Sequence, residues 1–229
     1  MKKGCLSSFS LKLIAIVTMT IDHVGYVLLP RYFFLRGIGR LAFPIFCFLL
    51  SEGLSYTKSR SKYLLRLSVF AILAEVPFDL AFNRAWFDVS DQNVFFTLAL
   101  SFGAIWCYDT LRRLPDGNFW IAFLSIFPFC AAAELLRTDY GMWGVLFVAA
   151  FWVLREKPVF AMLAFAAVNI VLSLFDSHIV QMYALCAIPL LLLYNGKKGF
   201  VSNKYVFYAY YPFHLLVIHL IECWKYGLL

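Results

Sequence analysis

Nine apolar runs, each closed by a short polar stop, succeed one another along the chain at residues 10–29, 33–55, 63–82, 94–111, 118–136, 141–154, 158–175, 178–194 and 205–224. A helix needs roughly 20 mostly apolar residues to cross a bilayer, and in lipid each backbone polar group must be satisfied within its own segment. Runs of this kind laid end to end predict an all-α fold, a polytopic transmembrane helical bundle of about nine spans. Composition agrees: 63% of the residues are hydrophobic and 14% charged, where a soluble domain carries about 25% charged. The run at 141–154 is the shortest. Spans and loops use the whole length, so residues 1–229 are expected to form a single integral membrane domain with no separate soluble one.

Lys2 and Lys3 ahead of an apolar run imitate a signal peptide, but that run carries Asp22 and His23 and lacks a small-x-small cleavage site. It is expected to stay as the first span. With the N-terminus inside, thirteen basic residues fall in inner segments and four in outer ones, an asymmetry that predicts N-in and C-out. Topology and anionic lipid thereby account for the net charge of +7, and no nucleic-acid partner is expected. The six cysteines form no C-x-x-C pair and are read as small buried hydrophobes; neither a disulfide nor a metal site is expected.

Ionisable side chains within a span cost about 2.5 to 3.5 kcal/mol each on insertion scales, so each asks for a partner and a purpose. Asp22 and His23 lie in the outer half of the first span, Arg36 and Arg40 in the outer half of the second, and Glu75 and Asp79 near the outer end of the third. Gln92 and Asn93 open the fourth span from that side. Arg36 and Arg40 are four residues apart, as are Glu75 and Asp79, so each pair shares a helix face. The expectation is a buried cluster of cations and carboxylates among the first four spans, opening outward. Such a cluster serves either as glue fixing helix register or as a site for proton transfer built on His23. In the last span Tyr210 and Tyr211 precede His214 by four and three residues, within reach for a phenol to hydrogen-bond the ring, and Pro212 is expected to break or kink that helix.

The segments LKLIAIVTMTIDHVG (11–25), LRGIGRLAFPIFCFLLSEG (35–53), KYLLRL (62–67), EVPFDLAF (75–82), QNVFFTL (92–98), TDYGMWGVL (138–146) and KYVFYAYYPFHLL (204–216) resemble, in order, the TraX family of bacterial membrane proteins. That resemblance implies a multi-pass protein of the bacterial inner membrane and transfer of an acetyl group from acetyl-CoA to a pilin N-terminus in a conjugation system. The first span is also similar to that of acyltransferase-3 enzymes, in which a His follows a basic residue by eleven positions. The similarity implies His23 as the catalytic base. Lys12 stands where those enzymes have Arg, and Glu52 precedes Gly53 where their pattern needs no acid.

Acyl transfer from a thioester needs a base for the nucleophile, donors for the oxyanion and a grip on the CoA phosphates. His23 is the expected base, with Asp22 as electrostatic partner and Arg36 or Arg40 steadying the oxyanion; His214 is the alternative base or a pocket-lining residue. Glu75, Asp79, Gln92, Asn93, Tyr140 and Tyr211 are the expected substrate-side residues. Lys58, Arg60, Lys62 and Arg66 are the expected anchor for the phosphates of acetyl-CoA, or else an ordinary positive-inside loop. The donor is expected from the cytoplasm and a protein or glycan acceptor from the envelope. A proton-coupled transporter and a non-catalytic pilus or envelope assembly factor are the rival readings.

Overall fold

A computed structural model describes residues 4–175, 179–200 and 204–227. Helices occupy all nine apolar runs: α1 (Ser8–Val27), α2 (Phe34–Gly39), α3 (Ala42–Tyr56), α4 (Arg60–Phe82), α5 (Val94–Arg112), α6 (Phe119–Leu124), α7 (Phe127–Leu135), α8 (Gly141–Val153), α9 (Pro158–Phe175), a 3₁₀ segment (Ile179–Cys186) leading into α10 (Ala187–Leu192), and α11 (Lys204–Tyr226). Among the described residues β pairing is confined to two isolated bridges. Among the described residues five helical stretches are long and apolar enough to cross a membrane: Ser8–Val27, Phe34–Tyr56, Val94–Arg112, Pro158–Phe175 and Tyr205–Tyr226. Three further apolar stretches, Phe119–Leu135, Gly141–Val153 and Ile179–Leu192, are shorter.

Three of the nine runs are interrupted, and a proline explains each interruption. Pro44, Pro128 and Pro189 lack the N–H that would bond to the carbonyls of Arg40, Leu124 and Leu185, and the breaks fall beside those residues, between α2 and α3, between α6 and α7, and where the 3₁₀ segment gives way to α10. Pro77 and Pro212 sit inside helices that run on past them, so of the break or kink expected at Pro212 the break does not occur.

Two compact units divide the chain. The first combines residues through Phe46, Leu73–Asp88 and Asn169 to the C-terminus; the second combines Cys47–Ile72 and Val89–Val168. In the first unit α1 buries a stripe of Leu11, Ala15, Thr18, Met19, Asp22 and Gly25, at the three- and four-residue spacing of one helix face. Leu13, Val17 and Tyr26 are exposed on the other side. Thr20 meets Tyr210, His23 meets His214 and the Leu28 carbonyl accepts from Lys225, so contacts advance in the same sense along both helices and α1 and α11 run parallel. In the second unit Phe147 and Phe151 of α8 close on Phe165 of α9, with ring centroids 4.9 and 5.3 Å apart. Asp109 on α5 takes Arg60 from the start of α4 at 2.5 Å and Arg113 at 2.9 Å, tying those two helix ends together.

Candidate functional site

The fold brings together two histidines 191 positions apart. His23 Nδ1 lies 2.8 Å from His214 Nε2, and the rings are within 12° of coplanar. His214 is buried, and its Nδ1 lies 2.9 Å from the backbone oxygen of Tyr210, one helical turn earlier. The phenol of Tyr210, expected on the ring, goes elsewhere: its hydroxyl lies 2.8 Å from Thr20 Oγ1. Phe82 and Tyr211 approach His23 edge-on at 5.2 and 6.1 Å, leaving an aromatic wall around the pair.

These contacts fix the tautomers. A carbonyl oxygen only accepts, so His214 Nδ1 carries the proton and donates to Tyr210. In a neutral imidazole Nε2 is then the acceptor, and His23 Nδ1 donates to it. The lone pair of His23 is left on Nε2, for which the described residues supply no hydrogen-bond partner. A His with one nitrogen held by an orienting acceptor and the other bare has the layout of a general base.

Next to it on α1, buried Asp22 pairs with two guanidiniums, Arg40 at 2.8 Å and Arg36 at 3.0 Å. The close approach depends on Gly39, where a Cβ would overlap the Asp22 carboxyl group. Arg36 also stacks over Tyr26, 4.7 Å from the ring centroid. Guanidinium groups held in this way can face an anionic substrate group or a developing oxyanion.

Glu75 is buried in the first unit, as is Asp79, whose carboxylate accepts from Asp88 N at 2.9 Å and Asn83 Nδ2 at 3.3 Å and so shapes the loop after α4. Lys58, Arg60, Lys62, Arg66, Gln92, Asn93 and Tyr140 belong to the second unit. There Asn93 caps α5 through Phe95 N and donates to the Ala71 carbonyl, while Gln92 exchanges backbone bonds with Arg137 and Asp139. Tyr140 takes a left-handed conformation ahead of α8, and Glu134 caps that helix by accepting from Met142 N. In the basic run Arg60 is engaged by Asp109 and Arg66 lies over Tyr63, with Lys58 and Lys62 exposed. Lys12 sits over Phe207. Glu52 is half-buried in α3. Of the cysteines, Cys47 and Cys130 are buried as expected, whereas Cys5 and Cys186 are exposed. Among the described residues no three His, Cys, Asp or Glu side chains gather as a metal site.

Sequence reasoning missed the Tyr210 carbonyl, Thr20, Phe82 and Asp109. Asp109 alone had a visible signal, an acid inside an apolar run just ahead of Arg112 and Arg113.

The profile of a family described as TraX protein matches residues 7–222. A probable fimbrial assembly protein, FimC of serogroup H1 from Dichelobacter nodosus, is 32% identical over 93% of this chain and 94% of its own length. An uncharacterized protein of Rickettsia prowazekii (strain Madrid E) is 35% identical over 32% of this chain and 28% of its own. No solved structure matches.

Proposed function

The chain belongs to the TraX family, and from that premise we propose that it is a membrane-embedded acyltransferase that moves an acetyl group from acetyl-CoA to an amine or hydroxyl of an envelope acceptor. The observation that carries this reading is the His23–His214 pair, with its bare Nε2 beside the two arginines on Asp22. The acceptor amine or hydroxyl attacks the thioester carbonyl carbon as its proton passes to His23 Nε2. The tetrahedral oxyanion forms near the positive charge of Arg36 and Arg40. Collapse breaks the carbon–sulfur bond, and the CoA thiolate recovers the proton from His23. Throughout, His214 Nε2 accepts from His23 Nδ1, keeping the ring oriented and sharing the charge of the imidazolium.

The protein sits in the bacterial inner membrane with nine spans, its N-terminus inside and its C-terminus outside. Support comes from the parallel course of α1 and α11, since parallel first and last spans enclose an odd number of further crossings and place the chain ends on opposite faces. The donor arrives from the cytoplasm and the acceptor from the envelope side. The fimbrial assembly role in the name of the Dichelobacter relative favours a second reading, a non-catalytic assembly factor. Incubating the purified protein with acetyl-CoA labelled in its acetyl group and envelope extract separates the two: mass spectrometry finds labelled acetyl on an envelope component if the chain is an acyltransferase, and finds label only in acetyl-CoA and the acetate released by its hydrolysis if it is an assembly factor.

A further inference from the structure

The opposite end of α1 from the histidines carries a second cluster that the chemistry above does not use. The chain from Leu193 to Gly199 lies against residues 6–9 and is stitched there by backbone bonds: Leu6 N to the Leu193 carbonyl, Asn195 N to Leu6, Ser8 N to Lys197 and Phe9 N to Lys198. Gly196 and Gly199 both take φ of +73°, and a Cβ at Gly199 would overlap Ser7 Oγ, so glycine is needed where the loop closes on the helix. The first amides of α1 are thereby satisfied by loop carbonyls, and Ser10 N by Ser7 Oγ. That helix end offers no free N–H to an anion; its side chains do the recognising.

Those side chains are three lysines and three phenylalanines. Lys12, Lys197 and Lys198 have no carboxylate partner among the described residues. Phe9 packs on Phe200 at 5.3 Å and on Phe207 at 6.0 Å, and Lys12 Nζ lies 5.1 Å over Phe207. Phe200 nonetheless remains 72% exposed. Clustered cations without a counter-charge beside an exposed aromatic face suit a phosphorylated purine nucleotide, the phosphates among the lysines and the base on the ring. Lys12 and His23 are eleven residues apart, three helical turns, so they share a face of α1 about 16 Å apart, comparable to the reach of an extended pantetheine arm.

We propose that this cluster, Lys197 and Lys198 with Lys12 and the Phe9–Phe200 surface, is the binding site for the nucleotide end of the CoA donor, from which the thioester reaches His23 along α1. The assignment rests on the acyl-CoA reading above and names a part of the donor site different from the run ahead of α4. There Asp109 already engages Arg60.

Equilibrium binding of CoA and of adenosine 3′,5′-bisphosphate to the purified full-length protein tests it. The wild type binds both. A Lys197→Gln/Lys198→Gln variant weakens both by about tenfold or more, as loss of two charge-assisted phosphate contacts requires, and Phe200→Ser weakens both as well. The loop is held through backbone carbonyls, so the lysine variant keeps its fold, checked by its melting profile. CoA affinity unchanged in the lysine variant, or lost only in a Lys58→Gln/Lys62→Gln variant, overturns this site while leaving the acyltransferase reading standing. Unchanged CoA binding with weakened association to anionic vesicles assigns the lysines to lipid headgroups and overturns it equally. A wild type that binds neither compound removes both this site and the acyl-CoA reading.

Discussion

At the scale of single residues the account turns on His214, which acts through another side chain. Its Nε2 accepts from His23 Nδ1, so His214→Ala removes the acceptor that sets the tautomer and is expected to lower turnover about 10- to 100-fold, less than loss of a general base. His214→Gln offers a side-chain oxygen in its place and is expected to recover part of that loss. Equal activity in wild type and both variants would contradict the positioning role. Gly39→Ala drives a methyl group into the Asp22 carboxyl and is expected to destabilise the protein by about 1–3 kcal/mol, the usual cost of overpacking, read as a lower melting temperature in detergent. An unchanged melting temperature would mean that Asp22 and its arginines can shift without cost. Asp22, His23, Arg36, Arg40 and His214 were all legible in the sequence, because an ionisable group in an apolar run demands an explanation. The pairing of the two histidines was not. Nothing local links positions 191 apart, and the acceptor on His214 is a backbone oxygen, which every residue has and no sequence pattern marks.

Among the helical elements, apolar run length located every helix but not its interruptions. Hydropathy sums side chains, whereas Pro44, Pro128 and Pro189 act by deleting a backbone donor, so three runs that read as continuous are divided. Pro77 and Pro212 have the same defect and their helices continue, which shows that the missing bond permits a break without dictating one. Polar residues at helix ends were read as substrate contacts, since an intramembrane polar group looks alike in sequence whether it meets a ligand or the backbone. Asn93 shows the second use, capping α5. Asn93→Ala is accordingly expected to cost about 1 kcal/mol or more, from a lost cap and an unsatisfied Ala71 carbonyl, measured as a lower midpoint of unfolding. Asp79→Ala frees the amide of Asp88, and faster hydrogen exchange confined to the loop after α4 is the expected signature. Protection there equal to wild type would contradict the part given to Asp79.

For the whole molecule, the positive-inside count and the parallel course of α1 and α11 both support the proposal that the chain ends lie on opposite faces. Reporter fusions are expected to place the loop after Tyr56 inside and the C-terminus outside; a cytoplasmic C-terminus would contradict both arguments together. That topology lets a donor from one face and an acceptor from the other meet at one histidine, which is the central claim. Its most direct test is turnover of labelled acetyl-CoA by the reconstituted protein, wild type against His23→Ala, with the acetylated acceptor quantified by mass spectrometry. Loss of a general base removes about 10²- to 10⁴-fold, so the variant is expected to fall by that factor while still binding acetyl-CoA and melting as a folded protein. Product formed at the wild-type rate by the folded variant would contradict the account.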